Sequence, residues 1–306
     1  MWHYLARRAV SAVLLALLVS FGAFVLVFAS GDPAVAVAGE GATAADAARV
    51  RATYHLDRPV AAQYLQWVAR GLRGDLGQSY YFHQPVTNIL AGRFGVTMTL
   101  GACAITLALL VGIPLGVVAA CRPNSAVDRF ALFAAVVGQA MPAFWLALLL
   151  IIVFSVRYPL LPSSGVDTWQ GYVLPTVVLG YYAMPAIMRL TRSGMIAVFE
   201  SDYIRTARAM GIATARIVFK YALRNAMLPV VAVAAAQFGF MLAGSVVIES
   251  VFAIPGAGLL AWESIKRSDL PTVQALVLCF SLIYVVLTFC ADLVSAWLDP
   301  RVRGQL

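Results

Sequence analysis

Uncharged apolar runs recur six times along the chain, at residues 9–29, 96–120, 130–156, 173–188, 226–248 and 272–291. A helix needs about 20 apolar residues to cross roughly 30 Å of hydrocarbon. All the runs except 173–188 reach that length. The short one attains it only if it starts near Gly171 or carries Arg189 by snorkelling. The pattern predicts an all-α membrane protein with six transmembrane helices. Arg7 and Arg8 before the first run, and Ala36-Val37-Ala38 after it, have the look of a signal peptide. The run is nevertheless longer than the 7–15 residues of a signal-peptide core, so an uncleaved first helix is expected.

Between the first two runs lies a longer polar segment, 30–95. Gly31-Asp32-Pro33 breaks the helix, and 44–54 reads as a short one. Leu56-Asp57-Arg58-Pro59 ends that helix, and 60–72 begins another with Tyr64, Trp67 and Val68 on one face. Tyr54, Tyr64, Trp67, Tyr80, Tyr81 and Phe82 make the segment too aromatic for a solvated linker, so it reads as a small ordered α-helical subdomain. The expected organisation is a tail and first helix (1–29), this subdomain (30–95), a five-helix core (96–298) with a polar loop at 189–225, and a tail (299–306).

Composition agrees with a lipid solvent: 62% of residues are hydrophobic and 12% charged, against about 25% charged in soluble domains. The net charge of +8 does not point to nucleic acid, because the basic residues gather between apolar runs and form no continuous phosphate-tracking face. With both termini inside, Arg122, Arg129, Arg189, Arg192, Arg205, Arg208, Arg216, Lys220 and Arg224 all fall on the inner side with few acids, as the positive-inside rule requires. The polar segment 30–95 is then extracytoplasmic. Cys103, Cys121, Cys279 and Cys290 lie in or at the ends of apolar runs without zinc-ligand spacing, and no structural disulfide is expected.

No phosphate-binding loop, zincin helix, catalytic carboxylate pair or nucleophile elbow occurs, and His3, His55 and His83 are scattered. The chain therefore reads as a non-enzyme with no cofactor or metal of its own. The runs contain no ionisable carboxylate at mid-bilayer depth, which argues against an ion-coupled carrier. Pro114, Pro142, Pro185 and Pro229 lie within the runs, and either kink helices that neighbours support or bend them around a path. Gln139, Met141, Tyr181, Tyr182 and Gln237 are the candidates to line such a path.

The loop at 189–225 carries the strongest local pattern. Asp202 is placed to cap a helix from Tyr203, on which Ile204, Ala207 and Gly211 share a face. Arg205, Arg208 and Arg216 flank that face, Gly211 ends the helix, and a second stretch follows through Ile217, Val218 and Tyr221. Composition suits both a helix docked in a partner's groove and a basic helix on anionic headgroups.

The stretch Tyr203-Ile204-Arg205-Thr206-Ala207-Arg208-Ala209-Met210-Gly211, with Leu223-Arg224-Asn225-Ala226 and Pro229, resembles the coupling loop of ATP-binding-cassette importer permeases of the dipeptide/oligopeptide/nickel family. An ordered series extends the likeness over nearly the whole chain. It includes Gly74-Asp75-Leu76-Gly77-Gln78-Ser79, Gly112-Ile113-Pro114-Leu115-Gly116, Met141-Pro142-Ala143, Leu161-Pro162-Ser163, Glu249-Ser250-Val251-Phe252-Ala253-Ile254-Pro255-Gly256, Asp269-Leu270-Pro271 and Asp299-Pro300-Arg301. Arg205-Thr206 stands where the wider family has Glu-Ala, as in its peptide branch. Met210 replaces a usual lysine and Tyr221 a usual histidine.

The resemblance implies a type I importer permease fold and a heteromeric assembly in the bacterial inner membrane. Its partners would be a second homologous permease chain, cytoplasmic ATP-binding subunits that hold ATP and Mg, and an extracytoplasmic substrate-binding protein. Asp202, Tyr203, Ile204, Arg205, Thr206, Ala207, Arg208 and Gly211 would meet the ATPase, and Asp75, Gln78, Glu249, Phe252 and Pro255 the binding protein. Di- or oligopeptides are the expected solute. Nickel or another small solute within the same family, a stand-alone channel or carrier, and a non-transporting scaffold are the rival readings.

Overall fold

The structure, a computed structural model, describes residues 2–29, 32–38, 42–53 and 56–298. Tyr54, His55, Gly31 and the motif at 299–301 lie outside the described residues. Thirteen α-helices are described: α1 Trp2–Ala29, α2 Pro33–Ala38, α3 Ala44–Thr53, α4 Val60–Gly71, α5 Val86–Cys121, α6 Ala126–Ala140, α7 Ala143–Ile151, α8 Val173–Phe199, α9 Asp202–Ala209, α10 Thr214–Arg216, α11 Leu223–Val251, α12 Ala257–Lys266 and α13 Leu270–Leu298. Wide π-turns at Ile152–Arg157 and Ile217–Ala222 continue α7 and join α10 to α11. Among the described residues, Val86–Cys121, Trp169–Phe199, Thr214–Val251 and Leu270–Val294 are long and apolar enough to cross a membrane.

The short fourth run lies in the 27-residue α8, which carries Arg189 as its length required and continues through Arg192. One expectation about the runs changes. The third run is not one helix. It breaks between α6 and α7, and the two halves meet at 98°. Met141 and Pro142 are both extended (ψ 128° and 132°), because a proline forces its predecessor out of the helical region and offers no N–H of its own. Pro114, Pro185 and Pro229 instead sit inside continuous helices.

The chain divides into two compact units, one of residues 1–4, 98–254 and 286–306, the other of 5–97 and 255–285. In the first, α5 and α8 approach at glycines. A Cβ on Gly116 would lie 2.7 Å from the Met188 carbonyl oxygen, and one on Gly112 would lie 3.1 Å from that of Met184. This small-xxx-small pair brings two backbones together and supports α5 at Pro114. In the second unit, Val86 and Leu90 of α5 share a core with Leu260 of α12 and Leu276 of α13, joined by Leu76 and Phe82. The 72–85 loop is thus seated on later helices and shares their core.

Candidate functional site

The connection from α8 to α11 is built from the α8 terminus outward. Helix α8 ends at Phe199, and Ser201, in extended conformation, stands at the N-cap of α9. Asp202 is therefore the first helical residue and not the cap; Ser201 and Asp202 are both cap-forming types, and the backbone chooses the earlier one. Ile204 and Ala207 are buried against Ile217, with Val198, Phe199, Ile212 and Tyr221 around them. The small-residue face expected to enter a partner is thus already covered by the chain itself, since its apolar surface is best removed from water there.

Gly211 does not share that face. It is exposed at φ +74°, and the Gly211 and Ile212 N–H groups donate to the Arg208 and Ala207 carbonyls at 3.0 and 3.2 Å. This is a Schellman ending, which favours glycine at the left-handed position. Asn225 donates to the Tyr203 hydroxyl at 2.7 Å, tying α9 to α11, and the Arg208 guanidinium lies 5.8 Å from the Phe199 ring centroid. Asp202, Tyr203, Arg205, Thr206, Arg208 and Met210 are left on the exposed side. The Asp202–Arg205 pair at 3.4 Å is fully exposed and contributes little.

Behind α9, Arg192 of α8 makes a two-pronged ion pair with Asp128 of α6, at 2.5 and 2.7 Å. Asp128 is buried, and its carboxylate also accepts the Asn124 N–H at 2.8 Å. In the sequence Arg192 reads only as one of the inner-side charges. Asp128 three positions after the cap residue Ser125 was the available signal.

The path candidates do not form one set. Gln139 accepts a hydrogen bond from Arg189 at 2.9 Å. Tyr181 lies over Gly138, with its hydroxyl 3.4 Å from the Ala134 carbonyl, so both serve the α6–α8 contact. Met141 is half-buried at the break, Tyr182 is half exposed, and Gln237 is partly buried on α11 with no polar partner among the described residues.

The residues expected to meet a binding protein also separate. Glu249 and Phe252 are buried, at 0% and 1% exposure. The Phe252 carbonyl accepts the Gly165 N–H at 2.9 Å, and the Glu249 carbonyl that of Ile254 at 2.8 Å. Both belong to the interior, since the turn after α11 folds back on itself there and leaves Ala253 and Pro255 exposed. Asp75 and Gln78 are exposed; Asp75 caps the Gly77 N–H at 2.9 Å, and Gln78 pairs with Pro85 in an isolated bridge. Buried Asp269 anchors this loop: it accepts from the Ser79 hydroxyl (2.5 Å), the Tyr80 N–H (2.9 Å) and the Thr272 hydroxyl (2.7 Å), a role that its place in the Asp269-Leu270-Pro271 motif does not report.

Comparison with known proteins decides the family. Residues 112–304 match the model of the binding-protein-dependent transport system inner membrane component, and residues 1–101 match its N-terminal companion. The chain belongs to this family. The permease is 39% identical over 304 residues to a "Glutathione transport system permease protein GsiC" of Pectobacterium atrosepticum, covering 99% of each chain. It is 38% identical, with the same coverage, to the protein of that name in Escherichia coli. Among solved structures it resembles the inward-facing MetNI methionine ABC transporter, with a TM-score of 0.58 at 21% identity, over 69% of this chain and 96% of the other. That likeness concerns the fold. The permease is a membrane subunit of an ATP-binding-cassette importer, acting with partner subunits.

Proposed function

We propose that the permease forms half of the translocation path for small peptides of the glutathione class, delivered by a binding protein and driven by ATP hydrolysed in separate subunits. The likeness to glutathione permeases over 99% of the chain supports the solute class. In this reading the chain crosses the inner membrane six times, with α1, α5, the α6–α7 pair, α8, α11 and α13 as spans. Both termini are cytoplasmic, and 30–95 is extracytoplasmic.

The observation that carries the coupling mechanism is the two-sidedness of α9. Its apolar side is seated on its own chain, and its polar side, with Tyr203, Arg205, Thr206 and Arg208, stays exposed. A seated helix with a free polar face passes a push from a partner into α8 and α11 without coming loose. Ile204, Ala207 and Gly211 hold the shape, while the exposed residues make the contact with the ATPase. The solute would move along surfaces that offer amides and hydroxyls, and Asp75, Gln78 and Pro255 are the outer contacts left for the binding protein.

The test is reconstitution of the whole importer in liposomes. Uptake of labelled glutathione should require ATP and the binding protein, and Arg205→Glu with Arg208→Glu should abolish co-purification of the ATPase. Transport by this chain alone without ATP would overturn the reading. For orientation, a cysteine in place of Gln78 should react with an impermeant thiol reagent from outside, and one in place of Ala213 should not.

A further inference from the structure

In the second unit, the end of α1, α4, the loop that follows it and the start of α13 enclose a cavity of about 520 Å³. Sites for small molecules span about 300–1,000 Å³. Phe24, Leu76 and Leu270 supply part of an apolar wall, and no carboxylate lines the cavity. Gln274 lines it while only 8% exposed, and its amide has no hydrogen-bond partner among the described residues. With no protein partner, that amide is open to water or a ligand in the cavity. In the same wall the Trp67 indole N–H is buried without an acceptor, where a buried donor is ordinarily matched.

At the rim, Arg70 and Arg73 stand one turn apart, exposed and without ion pairs among the described residues. Guanidinium forks match carboxylates in geometry and charge. Gln66, Gln78 and Gln274 add amides that both donate and accept, while the Gln63 amide nitrogen already donates to the Leu56 and Arg58 carbonyls. This suits a ligand with peptide groups better than a lipid phosphodiester, which offers only acceptors.

We propose that this cavity is a binding subsite for the carboxylate end of a small peptide, with Arg70 and Arg73 taking the carboxylate and Gln274 a peptide group. The proposal rests on the peptide-importer reading and adds a solute contact on the permease itself.

The experiment uses the complete importer in phosphatidylcholine nanodiscs, without binding protein, and measures equilibrium binding of tritiated glutathione, its diethyl ester and trialanine. The wild type should bind glutathione and trialanine saturably. Arg70→Gln with Arg73→Gln, both exposed positions, should weaken binding about tenfold or more, as loss of charge-assisted hydrogen bonds does. Gln274→Leu should weaken it less, and the ester should bind as poorly as the double variant. In liposomes the double variant should raise the KM for uptake, while ATPase stimulation by loaded binding protein stays at the wild-type level.

Unchanged binding in the double variant, or an ester that binds like its parent, would overturn the proposal. So would glutathione displaced by phosphatidylglycerol in the disc, which would assign the cavity to lipid. Absent binding with intact ATP-driven uptake would remove the subsite and leave the importer reading standing. Absent uptake of both peptides would remove the peptide reading, and the subsite's ligand with it.

Discussion

Two short segments between the long helices are held by different means. Helix α9 rests on Ile204 and Ala207, buried among side chains of α8 and the turn before α11. The loop before α5 has apolar contacts of its own through Leu76 and Phe82, and adds one buried carboxylate, Asp269, which gathers three donors from Ser79, Tyr80 and Thr272. Apolar contact is non-directional, so a helix seated that way keeps its place while its polar side answers to something else. A carboxylate with several donors is directional and fixes one geometry. The difference leaves α9 seated on one side with its polar side exposed, and holds the 72–85 loop in one geometry.

The largest expected effect comes from breaking the directional clasp. Asp269→Ala strands buried donors at about 1–3 kcal/mol each, so it should destabilise the loop by about 4 kcal/mol. Hydrogen exchange should rise across residues 76–84 while α9 keeps its protection, and equal loosening of both segments would erase the contrast. Next, Ile204→Ala should cost about 3 kcal/mol, as large-to-small changes in a core do, seen as faster exchange in α9. Gly211→Ala is smaller, about 1–2 kcal/mol for a side chain forced to a left-handed backbone. It should lower ATPase co-purification without altering the 76–84 loop. Smallest is Arg205→Glu with Arg208→Glu, which should shift thermal stability by no more than about 0.5 kcal/mol, as exposed substitutions do, while removing the ATPase. A large stability loss there would mean that the exposed face is structural.

Much of the helical content was legible because uncharged runs report lipid-facing length directly. Where reading failed, a residue had a local meaning and a stronger distant one. Arg192 looks like loop charge, yet α8 runs through it and buried Asp128 satisfies it. Glu249 and Phe252 lie in a stretch rich in turn residues and so look superficial. Their burial depends on the turn after α11 folding back at Ala253–Ile254, which no periodicity reports. Pro142 carries the same signal as Pro114, Pro185 and Pro229. Of the four, Pro114 has glycine contacts beside it that hold the neighbouring helix close, and only the Met141-Pro142 step opens to 98°. In the α8–α11 connection the spacing of Ile204 and Ala207 identified a face correctly. It could not say whether the face met a partner or the chain itself.

The Arg192–Asp128 fork also joins two elements that are far apart in sequence. It ties the helix that leads into α9 to the first turn of α6 through one charge-assisted contact. Helix α6 runs from that contact to the 98° corner at Met141-Pro142. One buried carboxylate therefore links the helix before α9 to the helix that ends at the corner.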